Sequence, residues 1–360
     1  MHMKIKQKNL LFHVLLSVWL LLMLVQICCN LPTLRQPGDW ALLLEQTIQQ
    51  PVDQKILQDA DPQRWMRWIE ELSGEKPVII NGQEIFLRSR YSYAMFLDYP
   101  EAQVMPYLLE QILQYVPLDQ IEIDPYPYVD AEQNYTWQNL IVRLPGKTSP
   151  DEKILLTAHF DSIVVRDGNA LLVAPGADDN ASGTAVLLEA LHLLADESFE
   201  KTIEIIFFSG EELSLQGSRA YVQDHDLQGV QAVLNVDMIG YDSDDDGCFE
   251  IHAGTDPASQ QIAVLLSETI VNYQIPLQPE ILLENATERS DHAPFWNAQI
   301  PAIAISENFF EQQGAGVCPL NDPNPYYHQS GDLAANININ YGYNITQAVI
   351  LTVAALAVPY

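Results

Sequence analysis

From residue 139 onward, short apolar runs alternate with longer stretches that have helical spacing. The apolar runs are rich in Ile, Leu, Val and Phe, as expected for strands that are buried on both faces of a sheet. Strands are predicted at 139–144, 153–158, 202–208, 230–236 and 300–305, and helices at 181–195, 217–224, 259–273 and 347–358. This alternation predicts an α/β sandwich built around a mostly parallel sheet.

Polar side chains follow these strands where each strand ends. His159 follows one strand, Glu211 and Glu212 follow the next, and Asp237 follows a third. Because ligands of such sheets bind at the carboxyl ends of the strands, we expect these side chains to meet. Buried carboxylates at a sheet edge need compensating charge, and divalent metal ions would supply it.

The residue types suit a site for two Zn²⁺ ions. Each ion in a hydrolytic site takes about three protein ligands, and a carboxylate bridges two ions that lie roughly 3.5–4 Å apart. Two histidines, one bridging acid and two terminal acids satisfy this requirement. The chain supplies them as His159, Asp179, Glu212, Asp237 and His328. Each cluster taken alone has an ordinary structural explanation, such as a helix cap at Asp178-Asp179-Asn180, but the ordered set indicates a metal centre.

Three further acids have other predicted roles. Glu211, beside Glu212, is the natural general base. Asp161 shares a face with His159 on an extended strand end, so we predict that it accepts the second imidazole N–H. Asp332 is predicted to do the same for His328.

The motifs that carry these residues resemble those of the co-catalytic dizinc aminopeptidases. These aminopeptidases belong to a zinc exopeptidase superfamily that also contains glutamate carboxypeptidase, glutaminyl cyclase and the transferrin receptor. The resemblance covers residues 138–335 and implies a three-layer α/β/α sandwich around a mixed, mostly parallel sheet. The motifs are His159-Phe-Asp-Ser, Pro175-Gly-Ala-Asp-Asp-Asn-Ala-Ser-Gly183, Ser209-Gly-Glu-Glu212, Asn235-Val-Asp-Met-Ile-Gly240, Ser290-Asp-His-Ala-Pro-Phe295 and Tyr327-His328.

The resemblance also implies how the metals are held. One zinc ion is bound by His159 and Asp237, the other by Glu212 and His328, and Asp179 bridges the two. A hydroxide between the ions would attack the N-terminal peptide bond of the substrate.

Other positions of the same motifs have implied roles. Glu211 is the general base, and a cis peptide follows the bridging acid, here between Asp179 and Asn180. Asn180 departs from relatives that often have Asp, which removes a charge but no expected ligand. His292 supports the site without binding metal. The segment between Glu307 and Tyr326, with Phe309 and Phe310, is expected at the rim of the substrate pocket.

The implied activity is the removal of N-terminal residues from peptides with a free N-terminus. Two alternatives stay open. A glutaminyl-peptide cyclotransferase with a single zinc shares the Glu-Glu and His-x-Asp-Ser features. A non-catalytic binding ectodomain could keep the fold, although such relatives lose ligands.

Charge and the N-terminus limit partners and location. The chain has 48 Asp and Glu against 17 Lys and Arg, and nucleic-acid binding is disfavoured because phosphates need a basic surface. Residues 10–27 are mostly apolar and follow lysines, which predicts a signal peptide or membrane anchor in residues 1–30. We expect an exported body, extracellular or periplasmic, either secreted or held at the membrane only by this segment.

The remaining chain is predicted to form a tether with short helices, 31–75, and the zinc peptidase domain, 76–360. Asn81-Gly82 predicts a hairpin within 77–95. Cys248 and Cys318 could form a disulfide in an exported protein or stay as two buried thiols.

A calcium site is a further possibility. Asp242, Asp244 and Asp246 have the D-x-D-x-D-G spacing of a calcium loop. The twelfth position is Ala253 and not Glu, so an acidic turn is the alternative to bound Ca²⁺.

Overall fold

A computed structural model describes residues 51–100, 102–130, 133–310, 316–318 and 321–360. The predicted signal or anchor segment and the first part of the predicted tether lie outside these residues. Within the described ranges, no helix is both long and apolar enough to span a bilayer.

Helices and strands alternate along most of the described chain. In order, they are α1 (Pro51–Gln58), α2 (Pro62–Leu72), β1 (Val78–Ile80), β2 (Gln83–Ile85), α3 (Ser92–Phe96), α4 (Val104–Ile112), β3 (Ile121–Val129), β4 (Asn134–Leu144), β5 (Ser149–His159), α5 (Gly183–Leu194), β6 (Lys201–Phe208), α6 (Gln216–Asp224), β7 (Val230–Val236), β8 (Cys248–His252), α7 (Pro257–Asn272), β9 (Gln278–Leu282), α8 (Ala293–Asn297), β10 (Ala302–Glu307) and α9 (Ile339–Ala357).

Eight of these strands form one mixed sheet in the order β3-β4-β6-β5-β7-β10-β8-β9. The central strands β6, β5, β7 and β10 are parallel neighbours. On the two sides, β4 and β8 join this group antiparallel. The carboxyl ends of the four central strands therefore lie at one edge of the sheet, where the polar motifs begin.

Helices cover both faces of the sheet. Tyr221 of α6 and Phe295 of α8 pack on one face with Leu155 of β5. Ile154 precedes Leu155 and points to the opposite face, where α5 and α9 contact β5; both side chains are fully buried. The predicted three-layer α/β/α sandwich is therefore confirmed.

The edge strand β3 was not predicted from the sequence. Pro125 and Pro127 interrupt its pattern, and proline cannot donate to a ladder. The two prolines are two residues apart, so they have the same orientation in the strand, and β3 pairs on one side only, with β4. An outermost strand tolerates proline because one side of its backbone needs no partner.

Two other predictions were imprecise. The hairpin around Asn81 and Gly82 exists, and both residues have the positive φ of the predicted turn, but its strands are only three residues long and 92–96 is helical. The last helix begins at Ile339 and not at 347, because Asn338 caps it by accepting a hydrogen bond from the backbone N–H of Tyr341.

Helix α2 packs into the sandwich. Asp61 caps its first turn, and Trp65 and Trp68 are fully buried. Arg64 donates two hydrogen bonds, 2.7 and 2.6 Å long, to Glu189 of α5. The described residues from 51 onward belong to one compact unit; the division into a tether and a peptidase domain remains a prediction.

Cys248 and Cys318 form a disulfide, which settles the choice between a bond and two thiols. The bond joins the start of β8 to a loop 70 residues further along the chain. Closing such a loop restricts the unfolded chain, and we expect reduction to lower the free energy of unfolding by about 4 kcal/mol. Urea unfolding with and without reductant measures this; an equal midpoint in both conditions would contradict it.

Candidate metal centre

The predicted ligands meet at the carboxyl edge of the central strands. His159 is the last residue of β5, and Asp237 directly follows β7. After β6, Gly210 turns the chain with a positive φ of 69° into the short 3₁₀ turn that contains Glu212. A side chain at Gly210 would collide with the ring of Trp137, so glycine is needed for this turn.

Two groups of three ligands share Asp179. The groups are His159, Asp179 and Asp237, and Asp179, Glu212 and His328; within each, the ligand atoms lie within 4.8 Å of one another. Asp179 Oδ1 lies 3.4 Å from His159 Nε2, and Asp179 Oδ2 lies 3.2 Å from His328 Nε2. The two oxygens of one carboxylate therefore face different groups, as a bridging ligand requires.

The donor set fits a pair of zinc ions. His159 Nε2 lies 3.2 Å from Asp237 Oδ1, and His328 Nε2 lies 2.9 Å from Glu212 Oε2. Among the described residues, Glu212 Oε1 is buried and has no hydrogen-bond partner. Such an atom costs free energy unless something satisfies it, and imidazole and carboxylate are ordinary zinc ligands.

Protons partly take the place of cations in this acidic site. Burial and the charge of Asp179 raise the pKa of Glu212 to about 8, although its hydrogen bond with His328 acts to lower it. Burial acts to lower the pKa of His328, but its hydrogen bonds to Asp179 and Glu212 raise it to about 10.

Zinc binding should therefore release protons. At pH 8 the metal-free protein keeps His328 protonated and Glu212 about half protonated, because both pKa values are raised; the metal needs the deprotonated forms. We expect zinc affinity to increase with pH between the ordinary histidine pKa and about 10. Calorimetry at pH 8 in buffers of different ionisation enthalpy counts the protons released, at least about one per chain; equal apparent enthalpies in all buffers would contradict this.

Glu211 belongs to neither ligand group. Its Oε2 lies 4.0 Å from His159 Nε2, at the edge of the site. Burial raises its pKa well above the ordinary value; His159 acts against this, and the charges of Glu212 and Asp237 add to it. A carboxyl group beside the ligands, with a raised pKa, can carry a proton near neutral pH.

Asp161 contacts His159 mainly through its backbone. His159 Nδ1 lies 3.2 Å from the carbonyl oxygen of Asp161 and 3.6 Å from its Oδ1. The carboxylate instead accepts hydrogen bonds from the backbone N–H of Glu211 and from the hydroxyl of Ser92. Asp161 therefore connects the His159 loop to the turn that holds Glu211.

Asp332 does not orient His328 as predicted. Its two oxygens accept the backbone N–H groups of Asp178 and Asp179, at 2.9 and 3.1 Å. His328 is instead held at a φ of +57°, with its carbonyl accepting from the N–H of Val165. Asp332 is only four residues from His328 in the sequence, but the loop directs its carboxylate toward the backbone of Asp178 and Asp179.

The Ser290-Asp291-His292 motif lies behind the ligands. Ser290 donates a 2.5 Å hydrogen bond to Asp237 Oδ2, and Asn235 donates to Ser290. His292 Nε2 contacts the carbonyl of Thr287 at 2.8 Å, and His292 is in neither ligand group.

The peptide between Asp179 and Asn180 is cis. Asn180 Nδ2 donates to the carbonyl of Val236, and Asn180 Oδ1 accepts from the N–H of Gly183. An aspartate could not make the first of these bonds, so asparagine suits this position in this chain.

A pocket opens beside the ligands. Phe309 and Phe310 line it, together with Met238 and Tyr327, so the predicted rim residues do face the site. Arg289 lies at its edge, with its guanidinium 5.9 Å from the ring centre of Phe310.

The predicted calcium residues also come together. One oxygen from each of Asp242, Asp244 and Asp246 lies within 4.8 Å of the others. Asp246 also accepts the backbone N–H of Cys248, as in an ordinary acidic turn. A calcium site here remains a prediction.

Sequence comparison supports the same family. The model of peptidase family M28 matches residues 139–353. The chain is 30% identical over 215 residues to a probable leucine aminopeptidase of Arthroderma otae, covering 56% of this chain and 52% of the relative. It is 27% identical over 265 residues to a probable aminopeptidase of Saccharomyces cerevisiae, covering 70% and 65%. The chain thus spans about half to two thirds of the length of these curated relatives.

Solved structures share the fold. LapB from Legionella pneumophila has a TM-score of 0.64 at 21% identity, over 86% of this chain and 75% of that one. A glutaminyl cyclase from an Acidobacteriales bacterium has a TM-score of 0.62 at 20% identity, over 83% and 95%. The M28 model matches more than half of the chain, and all five predicted ligands lie inside the match. The chain therefore belongs to peptidase family M28.

Proposed function

We propose that this chain is a zinc aminopeptidase that removes N-terminal residues from peptides with a free amino group. The observation that carries the proposal is the division of Asp179 between two ligand groups, each with one histidine and one further acid. A single-metal site needs no such bridging carboxylate. The aminopeptidase descriptions of the relatives support the same reaction.

Each ligand has an expected place. His159 and Asp237 would hold one zinc ion, Glu212 and His328 the other, and Asp179 both. Two bound zinc ions would supply Lewis-acid activation of the attacking water and of the peptide carbonyl.

Glu211 would move the proton. Its carboxylate lies beside the ligand atoms, where it can take a proton from the attacking water and later give it to the leaving amine. Its raised pKa favours holding that proton between the two steps. Asp161 keeps Glu211 in place through the backbone N–H of that residue.

The pocket beside the ligands would receive the N-terminal side chain. Phe309, Phe310, Met238 and Tyr327 supply the apolar part of its lining, so large apolar residues such as Leu, Met or Phe should gain from burial against them.

The experiment uses the full chain with zinc and a peptide mixture, half with free and half with acetylated N-termini. Mass spectrometry should show stepwise loss of N-terminal residues from the free peptides only, fastest for large apolar residues. Cleavage of both halves at internal bonds would reject an exopeptidase.

The cyclotransferase alternative is tested in the same mixture. The fold likeness to a glutaminyl cyclase extends over nearly all of that protein, so peptides beginning with Gln are included. Loss of ammonia from these peptides without hydrolysis would favour the cyclase. No change in any peptide would favour a binding ectodomain.

We also propose that the body of the chain is exported. The disulfide between Cys248 and Cys318 supports this, because such bonds persist in oxidising compartments. Protease added after the cell wall and any outer membrane have been permeabilised should degrade the chain; protection until the cytoplasmic membrane is lysed would contradict export.

A further inference from the structure

Arg90 is a fully buried arginine next to the acids of the metal centre. Its guanidinium donates four hydrogen bonds, all to backbone carbonyls, and within the described residues no carboxylate lies at ion-pair distance. Burial lowers its pKa to about 10, against the opposing charges of Asp332, Asp179 and Asp161, so it stays charged near neutral pH. A buried charge is costly, and its placement calls for a reason.

The four carbonyls identify what Arg90 holds. Nε donates to Phe160, the residue after the ligand His159, at 2.7 Å. Nη1 and Nη2 donate to Pro175 and Gly176, at 2.5 and 2.8 Å, just before the bridging Asp179. The remaining bond, 2.8 Å long, goes to Leu72 at the end of α2. One planar cation thus joins two ligand loops to a helix.

Gly176 shows how closely the loop approaches the guanidinium. It has a φ of +50°, and a Cβ there would lie 3.0 Å from Arg90 Nη2 and collide with the carbonyl of Asp179. The loop therefore fits against Arg90 only with glycine at this position.

Ser92, two residues after Arg90, connects the same segment through Asp161 to the turn that holds Glu211. Its hydroxyl donates to Asp161 Oδ2 at 3.1 Å, and Asp161 Oδ1 accepts the backbone N–H of Glu211. Both Arg90 and Ser92 lie upstream of residues 139–353, the segment matched by the family model.

We propose that Arg90 and Ser92 are positioning residues of the metal centre, which set the spacing of the His159, Asp179 and Glu211 loops and thereby the affinity for zinc. The fork of the guanidinium, and not its charge alone, is what this role requires. A lysine keeps the charge but cannot reach four carbonyls from one nitrogen. The proposal concerns zinc binding, so its outcome does not depend on the proposed peptidase activity.

The test measures zinc affinity by competition with a chromophoric chelator, on the full chain, for wild type, Arg90→Lys, Ser92→Ala and Arg64→Lys. We expect Arg90→Lys and Ser92→Ala to weaken zinc binding by about tenfold or more, as is typical of groups that orient metal ligands. Arg64→Lys is the matched control. Arg64 also donates two side-chain hydrogen bonds, both to Glu189, and neither residue belongs to a ligand group. This variant should lower the unfolding temperature and leave zinc affinity unchanged.

Wild-type or tighter zinc affinity in folded Arg90→Lys would overturn the proposal for Arg90, because the fork would then not be needed. If Arg90→Lys does not fold, Ser92→Ala decides alone: unchanged affinity would overturn the proposal. An equal loss of zinc affinity in Arg64→Lys would also overturn the proposal, because the loss would then result from lower stability of the fold and not from displaced ligand loops.

Discussion

Replacing Glu211 with glutamine abolishes peptide hydrolysis while zinc stays bound. Glutamine keeps the size of the side chain but cannot accept a proton, and Glu211 lies outside both ligand groups. We expect kcat to fall by about a thousandfold or more, within the range of general-base loss. Hydrolysis of a peptide with an N-terminal leucine measures the rate, and native mass spectrometry counts the zinc ions bound per chain.

The control for this change is Glu284→Gln, which removes an exposed glutamate outside the ligand groups and should leave turnover and zinc content unaltered. Loss of a zinc ion in Glu211→Gln would reassign Glu211 as a ligand. Wild-type turnover in Glu211→Gln would show that Glu211 is not the general base.

Replacing Asp179 with asparagine removes the bridge. Asparagine has one side-chain carbonyl oxygen, whereas Asp179 places one oxygen toward each ligand group. We expect the affinity for at least one zinc ion to fall by more than about a hundredfold, beyond what loss of an orienting partner costs, and turnover to fall with it. Chelator competition measures the affinity.

The same variant changes the metal-free protein. With the Asp179 charge gone, the pKa of His328 should fall from about 10 toward its ordinary value, so fewer protons are released when zinc binds at pH 8. Asp196→Asn, at an exposed position, is the control. Two zinc ions bound with wild-type affinity in Asp179→Asn would exclude a bridging role.

The meeting of the candidate ligands could be predicted because metal chemistry restricts residue type and sheet topology restricts place. His159 ends a strand, Asp237 and Glu212 come soon after one, and parallel neighbours bring the strand ends together. No strand end predicts the position of His328, because its loop depends on a left-handed backbone and a contact with Val165.

Residues that act on the backbone were not predictable in this way. Arg90 donates only to carbonyl oxygens, which any residue carries, so no pattern in the sequence identifies its partners. Asp332 was assigned to the wrong neighbour for the same reason, since it binds the N–H groups of Asp178 and Asp179. Only the three-dimensional course of the loops shows what these two residues hold.

The most direct measurement is native mass spectrometry of the metal-depleted full chain after zinc is restored, with a leucine-terminated and a glutamine-terminated peptide added to the same sample. The proposed mechanism predicts two zinc ions per chain and free leucine as a product. One zinc ion per chain, with loss of ammonia from the glutamine peptide and no free leucine, would contradict it.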